Sequence, residues 1–560
     1  MLTRLSLYVH TLRWLQVRQL IWQVYRRLRP VIATADIVLE PSRQHIAAAA
    51  FVSGPQPEPQ SGNCELRFLN ISSPAEPDCI DWHPADRSRL WRYNLHYFDY
   101  LHWESIPEEY KDAYIGNWIA ANPQGTADAW EPYTLSLRVV NWIKFFSNRE
   151  HVPASWQQSL INQVWWLRHN LEHHILANHY YKNAKALLFA GVWFEGERGA
   201  EFLQQGLRLF VEQTREQVLA DGGHFERSPM YHCIALEDCL DVVNLMQGSP
   251  ALFAEEQVAE LSNAALRMLR FIDEVRGADG RIPLFNDSAY GIAAEPAELL
   301  GYGSRLLGYE PLAPPRQPAS VHYPQSGYYG YRYRNDSLII DCGAVGPDYQ
   351  PGHTHCDMLS FELCIDGRRI VVDPGVHGYE DDETRHYLRS TSAHNTVTLD
   401  NKEQSEIWGT FRVARRAKPL KPSLADFCEH TQTFSGGHDG FSRLPQRARH
   451  WRTVSSDLAG LWEISDEVQG SGGGAVRSYL HFAPDLVVRP LEARGFAVMR
   501  GDTIVARIVP DDGCETEIVE SYVAFEFGRR ESAPTLIMLR RGKLPLRLSY
   551  RIEKPDYARR

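Results

Sequence analysis

The feature that most constrains the fold is a change in the spacing of apolar residues along the 560-residue chain. From about 80 to 310, apolar residues recur every three or four positions, as in SLINQVWWLRHNLEHHIL at 159–176. That is the period of amphipathic helices. After about 325 the period becomes two, as in LSFELCIDGRRIVVDPG at 359–375, which is typical of β-strands. The order predicts a helical part followed by a separate antiparallel β part, and not a βαβ alternation.

The length predicts more than one domain, because a single hydrophobic core rarely serves a chain this long. Successive helix–turn–helix units over 81–311 favour a layered helical array, either a toroid or a solenoid. The Pro-rich stretch 312–326 is typical of a linker, and 327–560 is predicted to be the β domain. Residues 1–80 are predicted to be a basic, extended segment that packs on the helical array.

Charge and cysteine usage exclude several classes of protein. The net charge of −11 argues against nucleic acid as a partner. The nine cysteines include no CxxC pair, which predicts reduced thiols and no disulfide framework. No stretch approaches the about 18 uncharged apolar residues of a membrane-spanning helix.

The first 30 residues are basic and have neither a continuous apolar core nor a small-residue cleavage site, so they make a poor signal peptide. We therefore expect a cytoplasmic protein, with the periplasm as the alternative. Two interpretations of this segment stay open. It is either an amphipathic helix that makes a peripheral membrane contact, or a helix docked on the body of the protein.

The stretch PGHTHCDMLSFEL at 351–363 places His353 and His355 at the start of a predicted β-hairpin. Asp373 ends the return strand, where the two ends of an antiparallel pair lie side by side, and His394 begins another β-like run. Two imidazoles and one carboxylate suit Zn²⁺, with a fourth position left for water. The alternative is a set of unrelated polar residues at the surface.

Polar residues also stand out elsewhere. Asn178 and His179 precede a helical run, where Asn178 is either a helix N-cap or part of a site. Tyr231 follows a helix stop and serves either packing or chemistry. Arg385 and Arg389 would suit an anionic substrate, or pair with the acidic residues beside them.

Taken together, several segments resemble the heparinase II/III-like polysaccharide lyases. They are LWRYNLHYFDYL, WEPYTLSLRVVNWIKF, NHYYKNAKALLFAG, DGGHFERSPMYH, GHTHCDMLSFEL, VVDPGVHGY and RSTSAHNTV. The resemblance runs from about residue 85 to beyond 480, and is closest to members from bacterial exopolysaccharide or O-antigen gene clusters. It implies an N-terminal (α/α) toroid followed by an antiparallel β-sandwich.

The resemblance also implies a reaction, β-elimination on a uronic acid. A base removes the C5 proton, the C4–O bond breaks, and an unsaturated sugar remains. Asn178 matches the residue that neutralises the sugar carboxylate, with His179 beside it. Tyr231 matches the general acid, which is also a candidate base, and His353 matches a histidine that faces the cleft.

The resemblance assigns further roles around this centre. His355, Asp373 and His394 resemble the zinc ligands of the family. Tyr387 and Arg389, together with Arg385, are predicted to bind an anionic polysaccharide or oligosaccharide. A role in making, trimming or recycling the cell's own surface polysaccharide fits better than nutrient scavenging, because no signal peptide is evident.

Two alternatives stay open. The first is a glycoside hydrolase, since toroids also host hydrolases, with its paired carboxylates among Glu226, Asp287 and Asp357. The second is a non-catalytic polysaccharide-binding or assembly protein that keeps the fold.

Overall fold

The computed structural model describes residues 2–28, 37, 42, 46, 51, 65–427, 432–492 and 494–555. The segment predicted to be basic and extended, 1–80, forms helices at 2–12 and 17–28, and most of 29–64 lies outside the described residues. Helices dominate the first part and strands the second, which confirms the predicted order of the two.

The described residues contain twelve α-helices. They are α1 Leu2–Leu12, α2 Val17–Leu28, α3 Arg89–Tyr97, α4 Glu108–Ala121, α5 Pro132–Phe146, α6 Ala154–His169, α7 Ala177–Trp193, α8 Gly196–Gln217, α9 Pro229–Gly248, α10 Glu255–Val275, α11 Pro296–Leu307 and α12 Glu383–Leu388. None of them is both long and apolar enough to cross a lipid bilayer.

One hydrophobic core joins α3 to α11, and α7 lies in its middle with nearly every residue buried. Two glycines let α7 and α8 touch backbone to backbone. A Cβ added at Gly191 would lie 2.3 Å from the Leu203 nitrogen, and one at Gly206 would lie 2.4 Å from the Leu188 nitrogen. This close crossing, in the C-terminal part of α7, fixes the position of the helix, whose first turn carries part of the candidate site.

Most strands come after α11 in the sequence, and one hairpin precedes α3. They are β1 Glu65–Phe68, β2 Ile71–Pro74, β3 Ala319–Tyr323, β4 Tyr328–Tyr333, β5 Asp336–Asp341, β6 Phe361–Ile365, β7 Arg368–Val371, β8 Val397–Leu399, β9 Ile407–Trp408, β10 Arg412–Val413, β11 Pro419–Phe427, β12 Gln432–His438, β13 Arg449–Ser456, β14 Leu461–Gln469, β15 Gly473–His481, β16 Val487–Pro490, β17 Phe496–Arg500, β18 Thr503–Pro510, β19 Glu515–Glu526, β20 Arg529–Lys543 and β21 Leu546–Glu553. We call residues 89–307 the helical half and 319–555 the β half.

Three larger antiparallel sheets build the β half. Their strand orders are β11-β12-β13-β14-β21-β18-β17-β16, β19-β20-β15-β8 and β3-β4-β5-β6-β7. Tyr329, Ile464 and Leu536, one from each sheet, belong to a single core, so the sheets pack in layers.

The predicted hairpin at 361–372 is confirmed. β6 and β7 pair antiparallel, and Asp366 and Gly367 turn between them with φ of 51° and 76°. The predicted linker 312–326 is wrong in part, because β3 lies inside it and pairs with β4. Three of the four prolines that suggested a linker come before that strand, and Pro324 directly follows it.

The two halves meet through backbone contacts. The amide of Asp287 donates to the carbonyl of His353 at 2.9 Å, and Tyr290 bridges to Glu526. None of the seven cysteines in the described ranges forms a disulfide.

Candidate active site

A cleft of about 1200 Å³ opens where the helical half meets the β half. All four residues predicted to be catalytic line it: Asn178, His179, Tyr231 and His353. Aromatic side chains form much of the wall, among them Tyr97, Tyr133, Tyr379 and Phe411. Such rings suit stacking on sugars.

Asn178 is the second residue of α7, and the interpretation of its side chain as an N-cap is wrong. The residue at the cap position is Leu176, with φ 68° and ψ −151°, and Ala177 also has a positive φ. The Asn178 amide instead donates to both carboxylate oxygens of Glu226, at 3.0 and 3.1 Å. Two consecutive non-glycine residues in this region are strained, as is common where backbone serves a site.

His353 reaches the cleft from the β half. Its Nδ1 lies 2.9 Å from Asp287 Oδ2, and its Nε2 lies 3.4 Å from Asn178 Nδ2. Because a carboxylate accepts at Nδ1, the neutral ring carries its proton there. The lone pair of Nε2 then faces Asn178 and the cleft.

Tyr231 lies with Asn178 and His353 in the cleft and completes a group of three polar side chains. It lies on the first turn of α9, where Ser228 caps the helix by accepting from its amide. Its ring stacks on His353 with centroids 3.8 Å apart, and its hydroxyl lies 3.0 Å from that of Tyr379. Burial and the neighbouring Tyr379 raise the pKa of Tyr231 well above its ordinary value, so the phenol stays protonated.

Asp287 connects the parts of this site, a role that the sequence did not indicate. It is completely buried and bonds His353, as above, and His355, whose Nε2 lies 2.8 Å from Oδ1. Arg385 holds the same carboxylate with both terminal nitrogens. Burial alone would raise the pKa of Asp287. The Arg385 charge and the two imidazoles instead lower it well below the ordinary range, so the group stays ionised.

His179 lines the cleft one residue after Asn178. Its Nδ1 lies 2.9 Å from Glu172 Oε1, and its ring packs 4.3 Å from that of Tyr133. Burial lowers the pKa of His179, but the Glu172 carboxylate outweighs burial, and the net shift is upward.

Seven buried imidazole nitrogens in the described ranges have no hydrogen-bond partner, and two of them, His355 Nδ1 and His394 Nε2, belong to rings whose centroids lie 5.3 Å apart. Asp357 joins them, and one atom from each of the three residues lies within 4.8 Å of the others. Burial lowers the pKa of His355 to about 3 and of His394 to about 4, so both rings are neutral. Neutral imidazoles with free lone pairs beside a carboxylate form a donor set that fits Zn²⁺.

Asp373, the third predicted metal ligand, lies on the other nitrogen of His394. Both of its oxygens are 2.9 Å from His394 Nδ1, and Ser360 donates to it at 2.9 Å. The structure thus places Asp357 in the cluster and Asp373 beside it, where it orients the ring of His394.

None of the three residues predicted to bind substrate lines the cleft, Tyr387, Arg389 and Arg385. Arg385 is buried against Asp287, Arg389 donates to the carbonyls of Thr354, Gly409 and Thr410, and Tyr387 packs on Tyr522. Their positions favour structural roles. The basic side chains that do line the cleft are Arg26, Arg67, Arg89, Lys144, Lys182 and Arg529.

The three carboxylates predicted for a glycoside hydrolase differ in position from the residues predicted for the lyase. Glu226, Asp287 and Asp357 are all buried, and none lines the cleft. A hydrolase needs two carboxylates that reach the sugar from opposite sides. These three cannot supply that pair in the arrangement seen.

Comparison with known proteins gives matches along most of the chain. The family described as heparinase II/III N-terminus matches residues 32–296, and heparinase II/III-like, C-terminal matches residues 315–550. A heparin-sulfate lyase of Pedobacter heparinus is 27% identical over 447 residues, covering 64% of this chain and 66% of that protein. One from Bacteroides stercoris is 25% identical, covering 65% and 55%. The chain thus spans less than two thirds of these relatives' length.

A relative that is not named as a lyase matches over more of the chain. FtsZ-localized protein C of Caulobacter vibrioides is 24% identical over 499 residues, covering 82% of this chain and 81% of its own length.

Among solved structures, a heparinase III has a TM-score of 0.67 at 16% identity and covers 95% of this chain and 88% of its own. The heparan sulfate lyase HepC of Pedobacter heparinus has a TM-score of 0.57 at 19% identity, covering 86% and 79%. At such identities these likenesses bear on the fold alone. They confirm a helical part followed by an antiparallel β part.

Proposed function

This chain belongs to the heparinase II/III-like family, and we propose that it is a polysaccharide lyase that cleaves a uronic-acid-containing polysaccharide by β-elimination. The observation that carries the proposal is the meeting of Asn178, Tyr231 and His353 in one cleft, from three separate parts of the chain. The heparin-sulfate lyase relatives support it.

Asn178 would neutralise the sugar carboxylate. Its amide nitrogen carries two hydrogens, and Glu226 accepts from it on the buried side. The other hydrogen lies toward His353 Nε2, 3.4 Å away, and a sugar carboxylate in the cleft would accept it in place of that ring, which would free Nε2. Such a bond strengthens as charge flows from C5 into the carboxyl group, so it stabilises the transition state more than the bound substrate.

His353 and Tyr231 would move the protons. The free Nε2 of His353 takes the C5 proton, and the electrons of that bond form the C4–C5 double bond. The C4–O bond breaks, and the leaving oxygen takes the proton of the Tyr231 hydroxyl. The Tyr379 hydroxyl, 3.0 Å away, donates to the phenolate that remains. The stacked His353 then returns a proton to Tyr231, which restores both groups.

We also propose that His355, Asp357 and His394 hold Zn²⁺, with Asp373 orienting His394. Bound there, the ion would tie together backbone segments before β6 and β8 and supply positive charge near the cleft. His355 would connect it to Asp287, which accepts from the opposite ring nitrogen.

A non-catalytic role is the second candidate. One observation favours it: FtsZ-localized protein C matches this chain over most of both lengths, and its name states a location and no reaction. The test below separates the two candidates.

For either role we propose a cytoplasmic chain that handles the cell's own surface polysaccharide.

The decisive experiment follows the ultraviolet absorbance of the conjugated product on a panel of uronate polysaccharides, with wild type and Tyr231→Phe. We expect a rise with wild type and a loss of about 10³-fold in kcat for Tyr231→Phe, because the proton donor is gone. Tyr379→Phe is the matched control, since it removes a neighbouring hydroxyl, and we expect a loss of about tenfold.

Other outcomes would contradict the lyase. New reducing ends without absorbance would indicate a hydrolase. Polymer binding without turnover, unchanged in Tyr231→Phe, would indicate the non-catalytic role.

A further inference from the structure

The helices α1 and α2 present apolar side chains to solvent. Ten of the fifteen large exposed hydrophobic residues in the described ranges belong to these two helices. On α1 they are Leu5, Tyr8, Val9 and Leu12, 46–61% exposed, and on α2 they are Val17, Leu20, Ile21, Val24, Tyr25 and Leu28, 40–78% exposed. Both sets recur at steps of three and four, so each forms one continuous helix face.

Polar and aromatic residues on the other faces fasten these helices to the protein. Gln19 is buried and donates to the carbonyl of Tyr349 at 3.3 Å, and Trp22 stacks on His173 with ring centroids 4.3 Å apart. On α1, Thr11 accepts from the indole of Trp408 at 3.1 Å. The docked face is thus the polar one, which leaves the apolar face outward. A helix that merely covered the protein core would be turned the other way.

The charge of this region is opposite to that of the chain. The two helices and the turn between them include Arg4, Arg13, Arg18, Arg26 and Arg27, all exposed, and no acidic residue precedes Asp36. Among the residues that the structure describes, none of these five arginines pairs with a carboxylate. The whole chain carries −11. An anionic surface would repel most of the molecule and attract this patch.

We propose that α1 and α2 bind the surface of an anionic lipid bilayer. The apolar face enters the boundary between headgroups and acyl chains, and Arg4, Arg13 and Arg27 lie at the level of the lipid phosphates. Arg18 and Arg26 instead contact His173 and His174 of the protein. Exposed apolar area and complementary charge together are what such a surface requires, and neither α1 nor α2 is long enough to span.

The proposal also orients the cleft. Arg26 on α2 lies at the cleft wall, next to His174 from the loop before α7. A molecule bound through α2 would hold one end of the cleft at the bilayer surface, within reach of a polymer attached to a lipid. This binding does not depend on the proposed lyase reaction, so the two can fail separately.

The test is cosedimentation of the full chain with vesicles of phosphatidylcholine alone or with phosphatidylglycerol added. We expect binding to the anionic vesicles, weakened by high salt, and little to the neutral ones. Ile21→Asp with Val24→Asp should lower the partition coefficient by about tenfold or more, since two apolar anchors become charged. The matched control is Val487→Asp, which charges an exposed apolar residue on β16 and should bind like wild type.

A second variant separates charge from apolar burial. Arg13→Gln with Arg27→Gln should weaken binding and reduce its salt dependence, since two cationic contacts are lost. Circular dichroism checks that every variant is folded. Equal binding of wild type and Ile21→Asp with Val24→Asp would overturn the proposal, as would no binding to anionic vesicles. Sedimentation velocity that shows a wild-type dimer, lost in that variant, would assign the face to a second copy instead.

Discussion

Asn178 and Tyr231 lie on the first turns of two helices, whereas His353 and His355 lie in the irregular segment between β5 and β6. In the helical half, the backbone of α7 and α9 places each side chain. In the β half, no regular element does so. There a single carboxylate, Asp287, holds both imidazoles, and it comes from the helical half. The comparison shows that the helical half of the site depends on secondary structure and the β half on one buried ionic contact.

Asp287→Asn should have the largest effect, and it tests whether the β half of the site depends on this one carboxylate. It leaves Arg385 buried without its counter-charge, which should lower the free energy of unfolding by about 3–5 kcal/mol. Asparagine keeps only one acceptor oxygen, so one of the two imidazoles loses its acceptor, and kcat of the folded fraction should fall by about 10²-fold or more with KM little changed. Chemical denaturation and turnover on the same preparation measure the two effects.

The β half contains a matched control. Asp466 is a buried carboxylate that bonds His450 at 2.8 Å and Arg452 at 2.7 Å, and none of these three residues lines the cleft. Asp466→Asn should destabilise the protein to a similar degree and leave kcat of the folded fraction unchanged. If both variants lose activity equally, Asp287 is merely structural.

Removal of the proposed Zn²⁺ should also weaken the β half more than the helical half. Chelation would leave His355 Nδ1 and His394 Nε2 buried and unsatisfied, at a cost of about 1–3 kcal/mol for each group. We expect a lower melting temperature, restored by adding Zn²⁺, and a metal content near one per chain by elemental analysis. Purified active protein without metal, and insensitive to chelators, would contradict the assignment.

Glu226→Gln probes the helical half, where we expect a smaller effect. Asn178 keeps its place on α7, and the glutamine retains one acceptor for its amide. We expect kcat/KM to fall by about tenfold, the loss of roughly one charge-assisted hydrogen bond. A loss as large as that of Asp287→Asn would show that helix placement is insufficient, and the comparison between the halves would fail.

The smallest expected effect concerns His179 and pH. Glu172 raises the pKa of His179 in the folded protein above its ordinary value of 6.5. The resulting stability is fully present below that ordinary value and is lost as pH rises through the folded pKa. His179→Gln should flatten this part of the stability curve, measured by denaturation across neutral pH. An unchanged slope would show that the pair contributes nothing.

The sequence predicted the order of the two halves because hydrophobic period is a local property. The hairpin at 361–372 was likewise visible in its Asp366-Gly367 turn. Asp287 was not recognised as the connecting residue, since its contact with Arg385 joins positions 98 apart. Strand β3 was missed because the prolines before it dominated the local signal. Asp373 was predicted as the third metal ligand and Asp357 was not, because spacing cannot tell which carboxylate turns toward the histidines.

The origin of Asp287 in the helical half has a consequence for biosynthesis. His353 and His355 are translated later, and the cleft-lining Phe527 and Arg529 later still. In a nascent chain whose β half has not yet docked, Asp287 is present but does not yet contact His353, the proposed base. Catalytic competence would therefore arrive only at the last step of assembly, and premature or misassembled molecules would be harmless to the polymer around them.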